Sequence, residues 1–236
     1  MIRADYHMHT NFSGDGKSSL RDILEAARAK GLQEIAITDH GPSHRFYGIR
    51  RGNIFVLRKM IDDIAPEYPD IRILQGLEAN ILPDGSLDVD DEILSVLDWL
   101  NAGYHFGTRW SKDAWFHIRN LFRMKSAVKY NTESIVAAIE RYPIDMITHP
   151  GDKGAVEIRP IAEAAARRNT LLEINAPHGF LTETQLREIA DIDVRFAICS
   201  DAHRPERVGE VQQGIDRFLR SGLDRSRVVN WKEGIE

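Results

Sequence analysis

The feature that most constrains the fold is a repeated alternation of two hydrophobic patterns. Short apolar runs of strand length recur between stretches in which apolar residues return at helical spacing. A strand at residues 5–10 is followed by runs at 34–38, 71–74, 97–102, 144–148, 170–175 and 194–199. Seven strand–helix units without a Rossmann glycine signature predict an α/β fold whose parallel sheet closes into a barrel.

Local signals mark the ends of two helices. Ser18 or Ser19 is suited to cap the first helix, and Gly31 is suited to end it. Thr182 and Gln185 have the spacing of a capping box, in which each residue satisfies a backbone N–H of the other. The sequence therefore predicts one helix that starts after residue 18 or 19 and another that starts after residue 182.

Further helices are predicted in less regular surroundings, and one of them lies near residues 158–168. Val56, Met60 and Ile64 fall on one helical face. Thr132 is placed to cap a helix, and Pro205 is placed to open one. The aromatic and basic stretch 107–131 reads as a long insertion with a helical piece. Such an insertion is long enough to cover one end of a barrel.

Composition limits the class of protein. At 236 residues, with 42% hydrophobic and 28% charged residues, the chain suits one large domain spanning residues 1–236. The net charge of -5 gives no global field that would attract nucleic acid. Cys199 is the single cysteine and is predicted to be a small core residue. Since neither a membrane-length apolar run nor a signal peptide is evident, we expect a cytoplasmic protein.

His7 and His9 lie two positions apart on the first predicted strand. Side chains at this spacing leave the same face of a strand, about 7 Å apart at the backbone, so both can reach one metal ion. A single pair of this kind also occurs by chance or as two surface histidines. The pair gains weight only because ligand-type residues follow other strands as well.

Residues of the types that bind metal ions follow several of the predicted strands. The candidates are His7, His9, Asp15, His40, Glu78, His105, His149, Asp201 and His203. In parallel barrels the carboxyl ends of the strands meet at one rim, where functional residues gather. Nine nitrogen and oxygen ligands exceed the four that one zinc ion takes, so two or three ions are expected. A carboxylate such as Glu78 is suited to bridge two of them.

Short blocks of sequence carry a resemblance to a known family. They are DYHMHT at residues 5–10, ITDHG at 37–41, GLEAN at 76–80, GYH at 103–105, THPG at 148–151, LEIN at 172–175 and SDAH at 200–203. In this order they resemble the PHP (polymerase and histidinol phosphatase) superfamily, specifically its small free-standing phosphoesterase branch. The resemblance extends over nearly the whole chain.

The resemblance implies a distorted (β/α)7 barrel, a TIM-like barrel, with a trinuclear metal centre at the carboxyl rim of the strands. One ion would take His7, His9, Glu78 and Asp201, a second would take Glu78, His105 and His149, and a third would take Asp15, His40 and His203. Some relatives have a histidine at the position of Asp15. Because a carboxylate is a harder ligand, the third site favours manganese or iron over zinc.

Metal ions that bridge a water create a hydroxide nucleophile and bind phosphoryl oxygens, so no serine or cysteine nucleophile is needed. We therefore expect a metal-dependent phosphoric ester hydrolase that acts on small phosphomonoesters, histidinol phosphate being one candidate. Asp39, Glu173 and Asn175 are either supports for the metal ligands or ordinary strand-end residues. The alternative function is a phosphodiesterase or 3′-5′ exonuclease acting on nucleotides. A third hypothesis is a non-catalytic metal-binding module.

Basic residues crowd the loops expected above this rim. They are Arg45, Arg50, Arg51, Arg109, Lys112, Lys153 and Arg204. In an acidic protein such a group favours an anionic substrate, which arginine recognises well. The predicted substrate-binding residues are Arg45, Arg50, Arg109 and Arg204. We expect a small phosphorylated substrate, no membrane and no obligate nucleic acid, and the sequence leaves the oligomeric state open.

Overall fold

The computed structural model describes residues 1–108, 110–122 and 124–232. These residues form seven strands, of which two are only two residues long. The strands are β1 (Ala4–Asp5), β2 (Glu34–Ile37), β3 (Arg72–Asn80), β4 (Trp99–Gly103), β5 (Met146–Ile147), β6 (Leu171–Asn175) and β7 (Phe196–Cys199).

Helices connect the strands. The α-helices of the described residues are α1 (Leu20–Ala29), α2 (Arg51–Ile64), α3 (Asp91–Leu94), α4 (Trp110–Leu121), α5 (Lys125–Arg141), α6 (Ile158–Arg168), α7 (Glu183–Glu188) and α8 (Gln212–Ser221). Short 3-10 helices occupy Ala65–Glu67, Pro205–Arg207 and Arg225–Arg227. None of the helices in this part of the chain has the length and apolarity of a membrane span.

The sheet runs in chain order from β1 to β7, and every neighbouring pair of strands is parallel. Glu34 of β2 lies opposite Arg72 of β3, and Gly76 of β3 lies opposite Trp99 of β4. This arrangement is a nearly closed barrel with helices between the strands. The predicted distorted (β/α)7 barrel is therefore confirmed.

Both faces of the strands are covered, as a parallel sheet requires. In β2, Ile35 and Ile37 belong to a cluster with helix residues, whereas Ala36 between them belongs to a small cluster built from several strands. Cys199 is fully buried in that second cluster and forms no disulfide, which confirms its predicted place in the core. Alternate side chains thus fill the barrel interior and the layer between strands and helices.

Two predicted helix starts are confirmed by their hydrogen bonds. The Ser19 side chain accepts from the backbone N–H of Asp22, and the Asp22 carboxylate accepts from the N–H of Ser19. Thr182 and Gln185 form the same reciprocal pair at the start of α7. Gly31 follows α1 with a φ of +68°, a conformation that glycine adopts without steric cost.

Three details of the helix predictions are wrong. Thr132 lies inside α5, where its hydroxyl donates to the carbonyl of Val128, because the helix already begins at residue 125. Pro205 opens only a 3-10 turn, and a separate helix begins at Gln212. In α2, Val56 and Met60 are exposed and Ile64 is only partly buried, while a different stripe faces the core. That stripe consists of Ile54, Leu57 and Ile61.

The barrel closes between β7 and β1 through few contacts. Within the described residues a single parallel bridge joins Met8 to Ala202, where the N–H of His9 donates to the carbonyl of Ala202 at 2.8 Å. Deeper in the barrel, the Asn230 side chain donates to the carbonyls of Ala4 and Ile198, both at 2.8 Å. We refer to this contact between the two ends of the sheet as the seam.

Candidate metal centre

The nine predicted ligand residues converge at the carboxyl rim of the barrel. Glu78 is part of β3, and the other eight lie in the loops that follow β1, β2, β4, β5 and β7. Each of the nine has a nitrogen or oxygen within 3.4 Å of another member of the set. Side chains that are far apart in the sequence therefore meet at one rim, as the arrangement of strand ends in a parallel barrel predicts.

Glu78 lies at the centre of the cluster and is fully buried. Its Oε1 is 3.3 Å from His7 Nε2, 3.3 Å from His105 Nε2 and 3.0 Å from His149 Nε2. Its Oε2 is 2.8 Å from His40 Nδ1. One carboxylate thus faces imidazoles that follow four different strands, the position that a bridging ligand needs.

Four overlapping groups of three residues have ligand atoms within 4.8 Å of one another. They are His9, His40 and His203; His7, His9 and Asp201; His7, Glu78 and His149; and His40, Glu78 and His105. The second group fits the first ion site that the resemblance implies. The grouping around His105 differs from the implied one, because its ring meets His40 as well as Glu78.

The spacing of the ligand atoms matches that of atoms around one ion. Two ligands at 2.0–2.1 Å from a tetrahedral ion lie about 3.3 Å apart. Asp201 Oδ1 is 3.4 Å from His7 Nε2 and 3.3 Å from His9 Nε2, and Asp15 Oδ2 is 3.3 Å from His40 Nε2 and 3.2 Å from His203 Nε2. Carboxylates and imidazoles are also the ligands that zinc, manganese and iron accept. The residues therefore fit a divalent metal ion.

Buried polar atoms without a hydrogen-bond partner point to the same fit. Among the described residues they include His7 Nε2, both ring nitrogens of His9, His105 Nε2 and Glu78 Oε2. An unsatisfied buried polar atom is destabilising, and natural proteins keep few of them. Their concentration in one cluster indicates that these atoms serve to bind ions.

Charge and burial divide these groups. His9, His105 and the three carboxylates are held in the form that binds metal, whereas the neighbouring carboxylates overcome burial and raise the pKa of the other four candidate histidines. Burial lowers the pKa of His9 to about 3 and, despite the charge of Glu78, the pKa of His105 to about 4. Burial alone would raise the pKa of Glu78, but its interactions with the surrounding imidazoles, chiefly His105 and His7, hold the pKa well below its usual range. Neutral imidazoles and an ionised carboxylate are the metal-binding forms of these side chains.

Further hydrogen bonds fix the orientation of the imidazoles. His7 donates from Nδ1 to Glu173 Oε1 at 2.8 Å, and His105 donates from Nδ1 to Asn80 Oδ1 at 3.0 Å. Asn80 is held in turn by half-buried Asp88, which accepts from its side-chain amide at 2.6 Å and from its backbone N–H at 2.7 Å. Each bond turns the opposite nitrogen, Nε2, toward the cluster.

Of Asp39, Glu173 and Asn175, two contact candidate ligands and one does not contact a ligand in this way. Glu173 contacts His7, and Asn175 donates to Asp201 Oδ2 at 3.1 Å. Asp39 instead accepts from the N–H and the hydroxyl of Thr10 at 2.8 and 2.7 Å. Asp39 thus tethers the loop that follows His9.

Backbone strain marks two of the strand ends. His149 and Asp201 have φ angles of +28° and +50°, in the region that non-glycine residues seldom adopt. Such conformations persist only where surrounding contacts enforce them, and they cluster at functional sites. At both positions the strain aims a candidate ligand at the cluster.

A cavity of about 520 Å³ opens beside the cluster. Its lining includes Lys153, the aromatic residues Phe46, Tyr47 and Phe106, and two histidines outside the predicted set, His44 and His178. Sequence reasoning missed both histidines because they belong to loops and do not directly follow a strand. Their positions four residues after His40 and three after Asn175 were the available signal.

The predicted substrate-binding arginines lie elsewhere. Arg45, Arg50 and Arg204 are exposed and do not line this cavity, and Arg109 lies outside the described residues. Lys153 is the one lysine or arginine among the described residues of the lining. A role of these arginines in substrate binding remains a prediction.

Fold and rim together define a class: parallel barrel proteins with a cluster of histidines and carboxylates suited to several metal ions. Residues 5–177 match the family model of the PHP domain, and the chain belongs to this family. The predicted family is therefore confirmed.

Curated relatives support the predicted class of enzyme, a hydrolase acting on phosphoric esters. The chain is 31% identical to YcdX of Escherichia coli K12, named a probable phosphatase, over 98% of this chain and 90% of the relative. It is 30% identical to the DNA polymerase/3'-5' exonuclease PolX of Bacillus subtilis, over 97% of this chain. That match spans only 39% of PolX.

A solved structure has the same fold at low sequence identity. It is the histidinol phosphate phosphatase of Lactococcus lactis, crystallised with zinc, L-histidinol and phosphate. The TM-score is 0.65 at 16% identity, and the match covers 94% of this chain and 95% of that one.

Proposed function

We propose that the protein hydrolyses small phosphomonoesters with two or three divalent metal ions bound at the strand-end cluster. The observation that carries the proposal is the central position of Glu78, which faces four imidazoles while the remaining ligand-type residues surround it. The names of the relatives, phosphatases among them, agree with this activity.

In this proposal the ligands divide as the resemblance implies. His7, His9, Glu78 and Asp201 hold one ion, Glu78, His105 and His149 hold a second, and Asp15, His40 and His203 hold a third. When bound, divalent ions lower the pKa of a coordinated water and neutralise charge on phosphoryl oxygens. The chain's own contribution is to fix the spacing and orientation of the ligands, chiefly through Glu173 and Asn80.

Lys153 is the best placed side chain to neutralise further charge on the phosphate. It lines the cavity, and its ammonium group lies 2.6 Å from Asp152 Oδ2. The cavity volume of about 520 Å³ is within the range of small-molecule sites. We propose a small phosphorylated substrate and a single-domain protein of the cytoplasm that needs no nucleic acid.

The match to PolX makes a phosphodiesterase or exonuclease the alternative function. Rates on a panel of phosphomonoesters, a phosphodiester and single-stranded DNA, each measured with zinc, manganese or iron(II), separate the two. We expect kcat/KM for the best monoester to exceed that for the diester by about tenfold or more, since a monoester has more free oxygens for the ions. Faster turnover of the diester or of DNA would replace the phosphatase proposal with the alternative.

Metal content tests the same proposal independently of the substrate. Elemental analysis of the reconstituted protein is expected to give two or three ions per chain. Fewer than one ion per chain would contradict the metal centre. Full metal loading without any hydrolysis would favour the non-catalytic module.

A further inference from the structure

His44 lies in a short loop that is firmly held beside the candidate metal centre. Within the loop, the N–H of His44 donates to the carbonyl of Gly41 at 3.1 Å, and the N–H of Gly48 donates to the carbonyl of His44 at 2.9 Å. An antiparallel bridge joins His44 to Thr108. The backbone of His44 therefore has little freedom to move when a ligand enters.

The side chain of His44 is also fixed. The residue is 7% exposed. Its ring stacks on that of Tyr47 with ring centres 4.9 Å apart, and its ring centre lies 5.5 Å from that of His40. The backbone N–H of Tyr47 donates to Nδ1 of His44 at 3.1 Å. Because Nδ1 accepts a hydrogen bond, the ring hydrogen resides on Nε2.

Nε2 of His44 is free to act. The hydrogen bonds of the described residues give it no partner, and His44 belongs to none of the four groups of residues that could hold a metal ion. The residue nevertheless lines the same cavity as His40, His105 and Lys153. A rigid donor with no protein acceptor, beside a cluster of ligands, is suited to bind a substrate atom.

We propose that His44 is a catalytic residue that donates its Nε2–H to a phosphoryl oxygen of the bound substrate. This inference rests on the proposed function and adds to it a specific contact outside the metal ligands. A phosphoryl group held at the cluster presents oxygens to the ions and at least one oxygen away from them. Charge grows on those oxygens during phosphoryl transfer, so a preorganised donor contributes most in the transition state.

Two substitutions separate donation from the other roles of the ring. His44→Phe keeps an aromatic ring that can stack on Tyr47 but removes both nitrogens. His44→Gln removes the ring but retains an N–H donor close to the position of Nε2. For each variant and the wild type, metal ions per chain, thermal unfolding, kcat/KM for a monoester and the Kd of inorganic phosphate are measured on metal-loaded protein.

We expect both variants to keep the wild-type number of ions. His44→Phe should lower kcat/KM by about 10- to 100-fold and weaken phosphate binding by about tenfold, as expected for a lost hydrogen bond to a charged group. His44→Gln should retain most of both. Loss of an ion in both variants would identify His44 as a metal ligand and overturn the proposal.

Other outcomes also decide the matter. Wild-type phosphate affinity in His44→Phe would overturn the inference even if the enzyme hydrolyses monoesters, and so would the absence of phosphate binding by the wild type. Conversely, phosphate binding that depends on His44 in a protein without phosphatase activity would support the contact while the proposed function fails. A loss in His44→Phe that appears only as a lower melting temperature would assign His44 a structural role.

Discussion

The two ends of the candidate metal centre differ in their exposure. The inner end consists of His7, Glu78 and His149, and the outer end of Asp15, His40 and His203. Side chains of the inner end expose at most 5% of their surface, whereas Asp15 and His203 expose 27% and 31%. Ions at the inner end would be shielded from water, and an ion at the outer end would face the cavity.

The surroundings of the two ends differ as well. At the inner end, Glu173 holds His7 and the hydroxyl of Thr148 donates to Glu78 Oε1 at 2.7 Å. At the outer end, His203 donates from Nδ1 to a backbone carbonyl, and Asp15 contacts the two histidines of that end. The inner end of the centre is therefore preorganised for metal binding, and the outer end is suited to exchange ligands.

The largest expected effect is the loss of the bridging carboxylate. Glu78→Gln should lose two ions and lower kcat/KM by about 1,000-fold or more, because Glu78 faces ligands of two sites and removing metal charge removes the main stabilisation of the transition state. Asp15→Asn, the matched change at the outer end, should lose one ion and retain more activity. Equal metal content in the two variants, measured by elemental analysis, would contradict the bridge.

Removal of the metals should occur in two stages. Titration with a chelator is expected to release the outer ion first and the inner ions later, with the larger fall in melting temperature in the second stage. At metal concentrations about 1,000-fold above Kd, bound ligand contributes about 4 kcal/mol to stability, which sets the scale of that fall. Calorimetry during the titration tests this order, and simultaneous release of all ions would remove the distinction between the ends.

Glu173→Gln should lower the metal affinity of the inner end without removing a ligand. The carboxylate orients His7 and strengthens it as a ligand, and the loss of such a partner typically lowers metal affinity by about 10- to 100-fold. Competition with a fluorescent chelator measures the affinity. Glu67→Gln, which alters an exposed ion pair with Arg21, is the control and should match the wild type. Equal affinities in the two variants would show that Glu173 has no such role.

The smallest expected effect is a change in the stability of the metal-free protein at Asp201, which has a φ of +50°. It distinguishes the cost of backbone strain from the contribution of metal binding. Both Asp201→Gly and Asp201→Ala lose the carboxylate, but glycine adopts this conformation without strain. The metal-free glycine variant should therefore be more stable by about 1 kcal/mol.

His203 provides the control for that pair of variants. Its φ is not positive, so His203→Gly should be no more stable than His203→Ala. Denaturant unfolding of the metal-free proteins compares the two pairs. The same ranking at both positions would exclude relief of strain as the cause.

Much of this architecture could be predicted because the candidate ligands lie in, or shortly after, six of the seven strands. The pattern after β2, β3 and β4 was sufficient to place His40, Glu78 and His105 at one rim. His44 and His178 could not be placed in the same way. The reach of a loop depends on contacts such as the bridge from His44 to Thr108, which no local pattern encodes.

Local periodicity also failed where two patterns compete. Helix α2 carries two apolar stripes, and only packing against β2 and β3 decides which of them is buried. Thr132 looks like a cap in sequence, but α5 continues through it because α5 packs against α6. In both cases tertiary contacts override a local preference.

The seam of the barrel gives the metal ions a mechanical role in addition to chemistry. His7 and His9 stand on one side of it and Asp201 and His203 on the other, so an ion shared across the seam latches together parts of the chain that are nearly its whole length apart. Closing so long a loop is entropically costly, and a metal clip reduces that cost. The latch would act at the rim, where one backbone bridge joins Met8 to Ala202, whereas Asn230 holds the deeper part of the seam through the carbonyls of Ala4 and Ile198. Metal depletion would thus loosen the rim end of the seam as well as inactivate the protein.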